Sequence, residues 1–202
     1  MTARRHFGDR GQTLPIYIWL TGILLFAAFA LFAFAQAASA RNGAQSAADA
    51  AALAAAQADR DELMEELEGA IGVDDNWLDW LDPNEATGTG ATAAAQQLAA
   101  ANDSALQGDA QPTEVNGFPG YEVEIQTNYT VGDSIIPGTE AQEATAQATA
   151  VIEPRCDFDV PDDPLDLVQL DCGGQIIEID PEDFVLGDLP DASVLFSVYL
   201  VE

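Results

Sequence analysis

The sequence predicts an α+β fold: a long N-terminal helix that continues into an Ala-rich helix, followed by a small antiparallel-sheet domain. Three observations predict it. Thirty consecutive positions between Arg10 and Arg41 carry no charge. Gln45 to Glu68 is dominated by the strongest helix formers, Ala, Leu, Gln, Met and Glu. From Tyr121 onward the apolar period changes to two, the spacing of a half-buried strand.

The charge-free run includes Leu14, Ile16, Trp19, Leu24, Leu25, Phe26, Phe29, Leu31 and Phe32. About 20 such residues cross the roughly 30 Å of hydrocarbon in a bilayer. Lipid offers the backbone no partners, so a spanning segment must be helical. Residues 14–40 are therefore expected to be a transmembrane helix in a cell membrane, crossed once. Arg4, Arg5 and Arg10 against Asp9 make residues 1–13 positive, and the positive-inside rule keeps such a tail cytoplasmic. A cleaved signal peptide is the competing reading, with Ala35-Gln36-Ala37 or Ala38-Ser39-Ala40 as the small-residue site. It would release the rest of the chain as a secreted domain. Signal-peptide cores run about 7–15 residues, shorter than the stretch here. Within the span Phe26, Phe29 and Phe32 form a bulky stripe, while Ala27, Ala30, Ala33 and Ala37 stay small enough for close helix approach.

Residues 41–70 are expected to carry the helix outward, unless Asn42-Gly43 kinks it, with Gly69 and Gly72 ending it. Residues 71–202 should form the acidic exterior α+β domain. Trp77, Leu78, Trp80 and Leu81, set among turn-forming residues, predict a docked aromatic turn. Thr92 to Leu106, bounded by Gly90 and Gly108, predicts a second helix. Tyr121 to Val131 alternates as a strand. After turn signals at Gly132-Asp133 and Pro137-Gly138, Thr145 to Ile152 is expected to pair antiparallel with it. Ile176 to Ile179 and Val194 to Val201 read as further strands of the same sheet.

Beyond residue 40 the chain holds three arginines against 34 acidic residues, a net charge of −31. That excludes nucleic acid as a partner, because phosphate needs cations to neutralise it. Cys156 and Cys172 both fall in the expected exterior, an oxidising location that favours a disulfide between them.

The single histidine, His6, lies in the tail, and there is no lysine. Ser-His-Asp, Cys-His and Lys-dependent catalysis thus have no exterior residues to use. Carboxylates alone remain, and so many acids bring some pair to glycosidase spacing by chance. The protein is read as a non-enzyme without cofactor or metal. Asp157, Asp159, Asp162, Asp163 and Asp166, like Asp74, Asp75, Asp79 and Asp82, do not follow the twelve-residue calcium-loop pattern and are read as solvated faces. The sequons at Asn102 and Asn128 are taken as chance in a chain of bacterial character.

Arg10-Gly11-Gln12, the apolar helix, and then the string Ala47, Ala48, Asp49, Ala50, Ala51, Ala52, Leu53 resemble the N-terminal region of TadE/TadG-like proteins of the tight-adherence (Tad, or Flp) pilus machinery. The alternating segments after Tyr121 and Thr145 resemble that family more loosely. The chain departs from larger TadG proteins in lacking a DxSxS metal motif. It departs from type IV prepilins at Ile16, where they carry a glutamate. The resemblance implies a membrane-anchored component of a Tad-type pilus or secretion apparatus, a minor pilin-like subunit or an assembly factor. Its partners would be the membrane and other pilin-like or Tad assembly proteins, met through the N-terminal helix, with an oligomer possible. The alternative is a tethered exterior binding module unrelated to pili.

Overall fold

One helix, α1 (Thr13–Ala70), runs 58 residues without a break, about 87 Å at 1.5 Å per residue. The computed structural model describes residues 13–83, 86, 88–130, 141–185 and 187–201. The basic tail and both turn signals between residues 131 and 140 lie outside them, as does Val131.

Asn42-Gly43 does not interrupt α1, and Gly43 has another use. A β-carbon there would run into the Tyr129 hydroxyl, so the glycine lets that ring cross the helix. Gly69 remains helical, and α1 ends where Gly72 takes the left-handed conformation, φ +72°.

After α1 come a 3-10 turn (Trp77–Leu81) and α2 (Ala91–Ala101). Trp77 is fully buried, and its Nε1–H donates to the Pro164 carbonyl at 2.9 Å. The expected aromatic turn is therefore present and docked. The second helix is shorter than expected. Asn102 caps it, Asp103 turns with φ +50°, and residues 104–106 are extended as β1 (Ser104–Leu106). The side chains of Asn and Asp tolerate this left-handed turn better than most.

The main sheet is antiparallel and contains β1, β2 (Gln111–Val115), β3 (Phe118–Thr130), β4 (Glu143–Pro154) and β8 (Phe196–Val201). β3 pairs with β4 in the register Tyr121↔Ala150, Val123↔Ala148 and Ile125↔Ala146. Tyr121, Val123 and Ile125 are buried on one face, while Glu122 and Glu124 are exposed on the other. β1 and β2 lie along the other edge of β3, and β8 pairs with the far half of β4. β5 (Asp157–Phe158), β6 (Val168–Cys172) and β7 (Gln175–Ile179) form a separate antiparallel sheet. Ile176 to Ile179 thus joins a different sheet from the expected one, because Gly173-Gly174 folds it back on β6. Val194 and Leu195 belong to a helical turn, α3 (Ala192–Leu195), capped by the Asp191 carboxylate accepting from the Ser193 N–H.

The two sheets and the two long helices share one core. α1 contributes Ala47, Ala51, Ala55, Leu63 and Leu67, and α2 contributes Ala91, Ala95 and Ala99. Alanine on both helices and at alternate positions of β4 removes bulk from the interface, so helix and sheet backbones approach closely. Gly120 extends the same close fit, since a β-carbon there would strike the Ala150 carbonyl.

Candidate functional site: a free apolar half-helix on an acidic domain

α1 is two helices in one by environment. From Leu14 to Phe34 every large apolar side chain is 45–76 % exposed. From Ala40 onward the helix sinks into the domain, beginning with Ala40 and Ala44 against Ala144. The outer half is long and apolar enough to cross a membrane, and it is the one such helix among the described residues.

The sequence string singled out as a motif lies on the buried side of that division. Ala47, Ala48, Ala51 and Ala52 are 0 % exposed in the core. Asp49, Ala50 and Leu53 are half-buried at its margin. Asp49 accepts from the Gln45 amide at 2.8 Å. The string packs the helix onto its own sheet, so the surface left for other molecules is the segment before it, together with the domain's outside.

Cys156 and Cys172 are joined in a disulfide, as their placement predicts. The bond ties the segment that leaves β4 to the end of β6. The acidic runs stay dispersed: Asp163 receives the Leu165 N–H and Asp74 the Asn76 N–H, both as local turn contacts. Among the described residues no three His, Cys, Asp or Glu side chains come together as metal ligands.

Two polar arrangements were not anticipated from the sequence. Glu62 on α1 accepts the Thr89 N–H at 2.7 Å and the Gly90 N–H at 2.6 Å, capping the N-terminus of α2 from outside. Gly90 is the N-cap residue of α2 and Thr89 precedes it, so the carboxylate satisfies amides with no partner in the helix and also meets the positive end of the helix dipole. One turn earlier, Asp59 is buried beside the Tyr121 phenol. Tyr121 donates to the Gly88 carbonyl at 3.3 Å, and burial, then the Asp59 charge, push its pKa up. Gly88 is required where it stands because a β-carbon would strike Asp59. Together these residues tie α1, the loop before α2 and β3 at one point. A capping carboxylate 27 residues from its target leaves no periodic signal in the sequence.

Residues 11–58 match the family described as "Putative Flp pilus-assembly TadE/G-like". The TadE/G-like segment takes in the free apolar half of α1 and the buried alanine string, and ends one residue before Asp59. The strands that looked loosely similar, β3 and β4, lie outside it. No curated protein and no solved structure matches the chain.

Proposed function

We propose that this protein is a non-enzymatic, single-pass membrane component of a Tad/Flp-type pilus or secretion apparatus, either a minor pilin-like subunit or an assembly factor. The observation that carries the proposal is the position of the TadE/G-like match. It falls on a helix whose outer half is bare and apolar and whose inner half is the spine of a folded domain.

In this reading residues 14–40 sit in the membrane with the basic tail cytoplasmic and the acidic domain outside. The continuous helix matters: α1 runs unbroken from the bare half into the domain, so the two halves are joined by helix and not by a loop. Assembly contacts belong to the bare half of α1, where Ala30, Ala33 and Ala37 let a second helix approach closely.

Site-specific photo-crosslinking in cells that build the apparatus tests this. A crosslinker at Ala30 or Ala33 should capture a discrete membrane or pilus protein, while one at the exposed Glu65 on the domain should not give the same product. Capture of lipid alone from the helix positions would overturn the assembly role.

A further inference from the structure

The core is closed at the end of the domain where α1 finishes. Trp77 and Leu81 of the 3-10 turn, Val168 of β6 and Ile179 of β7 are all buried there. Four large aliphatic side chains nevertheless stand outside it: Val73 is 85 % exposed, Leu165 45 %, Leu167 51 % and Val185 60 %. Their segments meet at this one end. Gly72, next to Val73, lies so close to the Pro181 carbonyl that a β-carbon would strike it. Leu165 adjoins Pro164, whose carbonyl accepts from the Trp77 indole. Leu167 comes one step beyond the Val168↔Ile179 pair, level with Asp180, and Val185 lies four residues after Pro181.

The same segments carry one sign of charge. Residues 71–83 hold four acids, residues 162–167 three and residues 180–185 three, all of them exposed, and none of the segments holds an arginine. The acids do not gather as metal ligands among the described residues. Single exposed aliphatics are ordinary. Several on segments that converge, rimmed by charge, match the apolar centre and polar rim of a protein-binding patch. The patch lies about 45 Å along α1 from Ala40, where the helix enters the domain.

We infer that this end of the domain binds a cationic, amphipathic segment of another protein. Its apolar side chains cover Val73, Leu165, Leu167 and Val185, and its Lys or Arg side chains meet the surrounding carboxylates, which also draw it in by long-range attraction. A second copy of this domain is a poor occupant, because it would set the same acids against these. The inference does not depend on the pilus reading: crosslinking reports on the bare half of α1, and the titration below on its opposite end.

The test uses the full-length protein in phosphatidylcholine nanodiscs and a fluorescent peptide, Leu-Lys-Lys-Leu-Leu-Lys-Lys-Leu, followed by anisotropy with empty nanodiscs subtracted. The peptide should bind, and hydrogen exchange should slow at residues 72–82 and 163–168. Val73→Ser, Leu165→Ser and Leu167→Ser together, which leave the net charge unchanged, should weaken binding about tenfold, and so should serine in place of the peptide's leucines. Asp75→Asn, Asp162→Asn and Asp183→Asn together should weaken it about fivefold. Glu65→Gln, Glu66→Gln and Glu122→Gln, the same loss of charge elsewhere, should leave it within about twofold. If the triple serine protein melts early, the serine peptide and the exchange map carry the comparison. Absence of binding, equal binding by the serine peptide or the folded serine variant, equal losses in the two charge variants, or protection only outside these segments would each overturn the proposal.

Discussion

Glu62 and Tyr121 show how single polar residues hold this fold together. Replacing Glu62 with Ala strips the Thr89 and Gly90 amides, just before α2, of their acceptor. Loss of a helix cap costs about 0.5–2 kcal/mol, so the urea midpoint of Glu62→Ala should fall accordingly, with Glu62→Gln intermediate. Tyr121 gives a prediction in pH. Its folded-state pKa lies above the usual phenol value through burial and the Asp59 charge, while the unfolded chain's tyrosine ionises near 10. The native state therefore keeps a proton that the unfolded state releases. The contribution is complete below about pH 10 and is lost as pH rises above it, by up to about 1.4 kcal/mol per unit until the folded phenol titrates. Tyr121→Phe should flatten this alkaline decline in urea midpoints measured from pH 8 to 11.5. At pH 7 it should cost about 1 kcal/mol for the lost bond to Gly88. Tyr199, also raised by burial and by Glu153, accounts for part of any residual slope. An unchanged slope in Tyr121→Phe would remove the phenol from this role.

At the level of elements, what could be read from the sequence is what leaves a local pattern. The apolar run and the alternation from Tyr121 each carry their own period, and both elements stand where expected. Three departures have three causes. The Ala-rich stretch after Gly90 reads as helix through Leu106, but Asn102 and Asp103 turn the chain and β3 claims Ser104–Leu106 as a strand. Asn116-Gly117 and Gly173-Gly174 are strong two-residue hairpin signals whose positive φ values match such turns. They mark the β2–β3 and β6–β7 hairpins in the sequence. The assignment of β7 to a separate sheet left no sequence trace, because it depends on which strands meet in space. That second sheet hangs on the disulfide. By the chain-entropy relation a loop of this size is worth about 3 kcal/mol, so Cys156→Ser with Cys172→Ser should lower stability by about that amount. Hydrogen exchange should show the loss first in β5, β6 and β7, with β3 and β4 retaining protection. Uniform loss across both sheets would mean that the bond braces the whole core.

For the whole molecule, the question is where the membrane segment ends and the domain begins, and composition answers it poorly. Alanine favours helix and is only mildly apolar, so the string from Ala44 to Ala56 shows no face of its own. It is the sheet laid against it that makes one side interior. Eight alanines between those residues are buried, and at about 0.8 kcal/mol per buried methyl they contribute roughly 6 kcal/mol. Whole domains are stable by about 5–15 kcal/mol, so the helix after Ala40 is as necessary to the fold as the sheet. The half before it contributes nothing to the core, since its large apolar side chains all stand exposed. A fragment of residues 36–202 should therefore be soluble without detergent, aided by its acidic charge. It should unfold in one cooperative transition within about 3 °C of the full chain, a shift of roughly 1 kcal/mol or less. A fragment of residues 59–202, which keeps every strand but lacks the alanine spine, should show no cooperative melt by circular dichroism and should expose the inner face of its sheet to hydrophobic dyes. If it melts cooperatively with the strand signal intact, α1 is an accessory to the domain and not its spine.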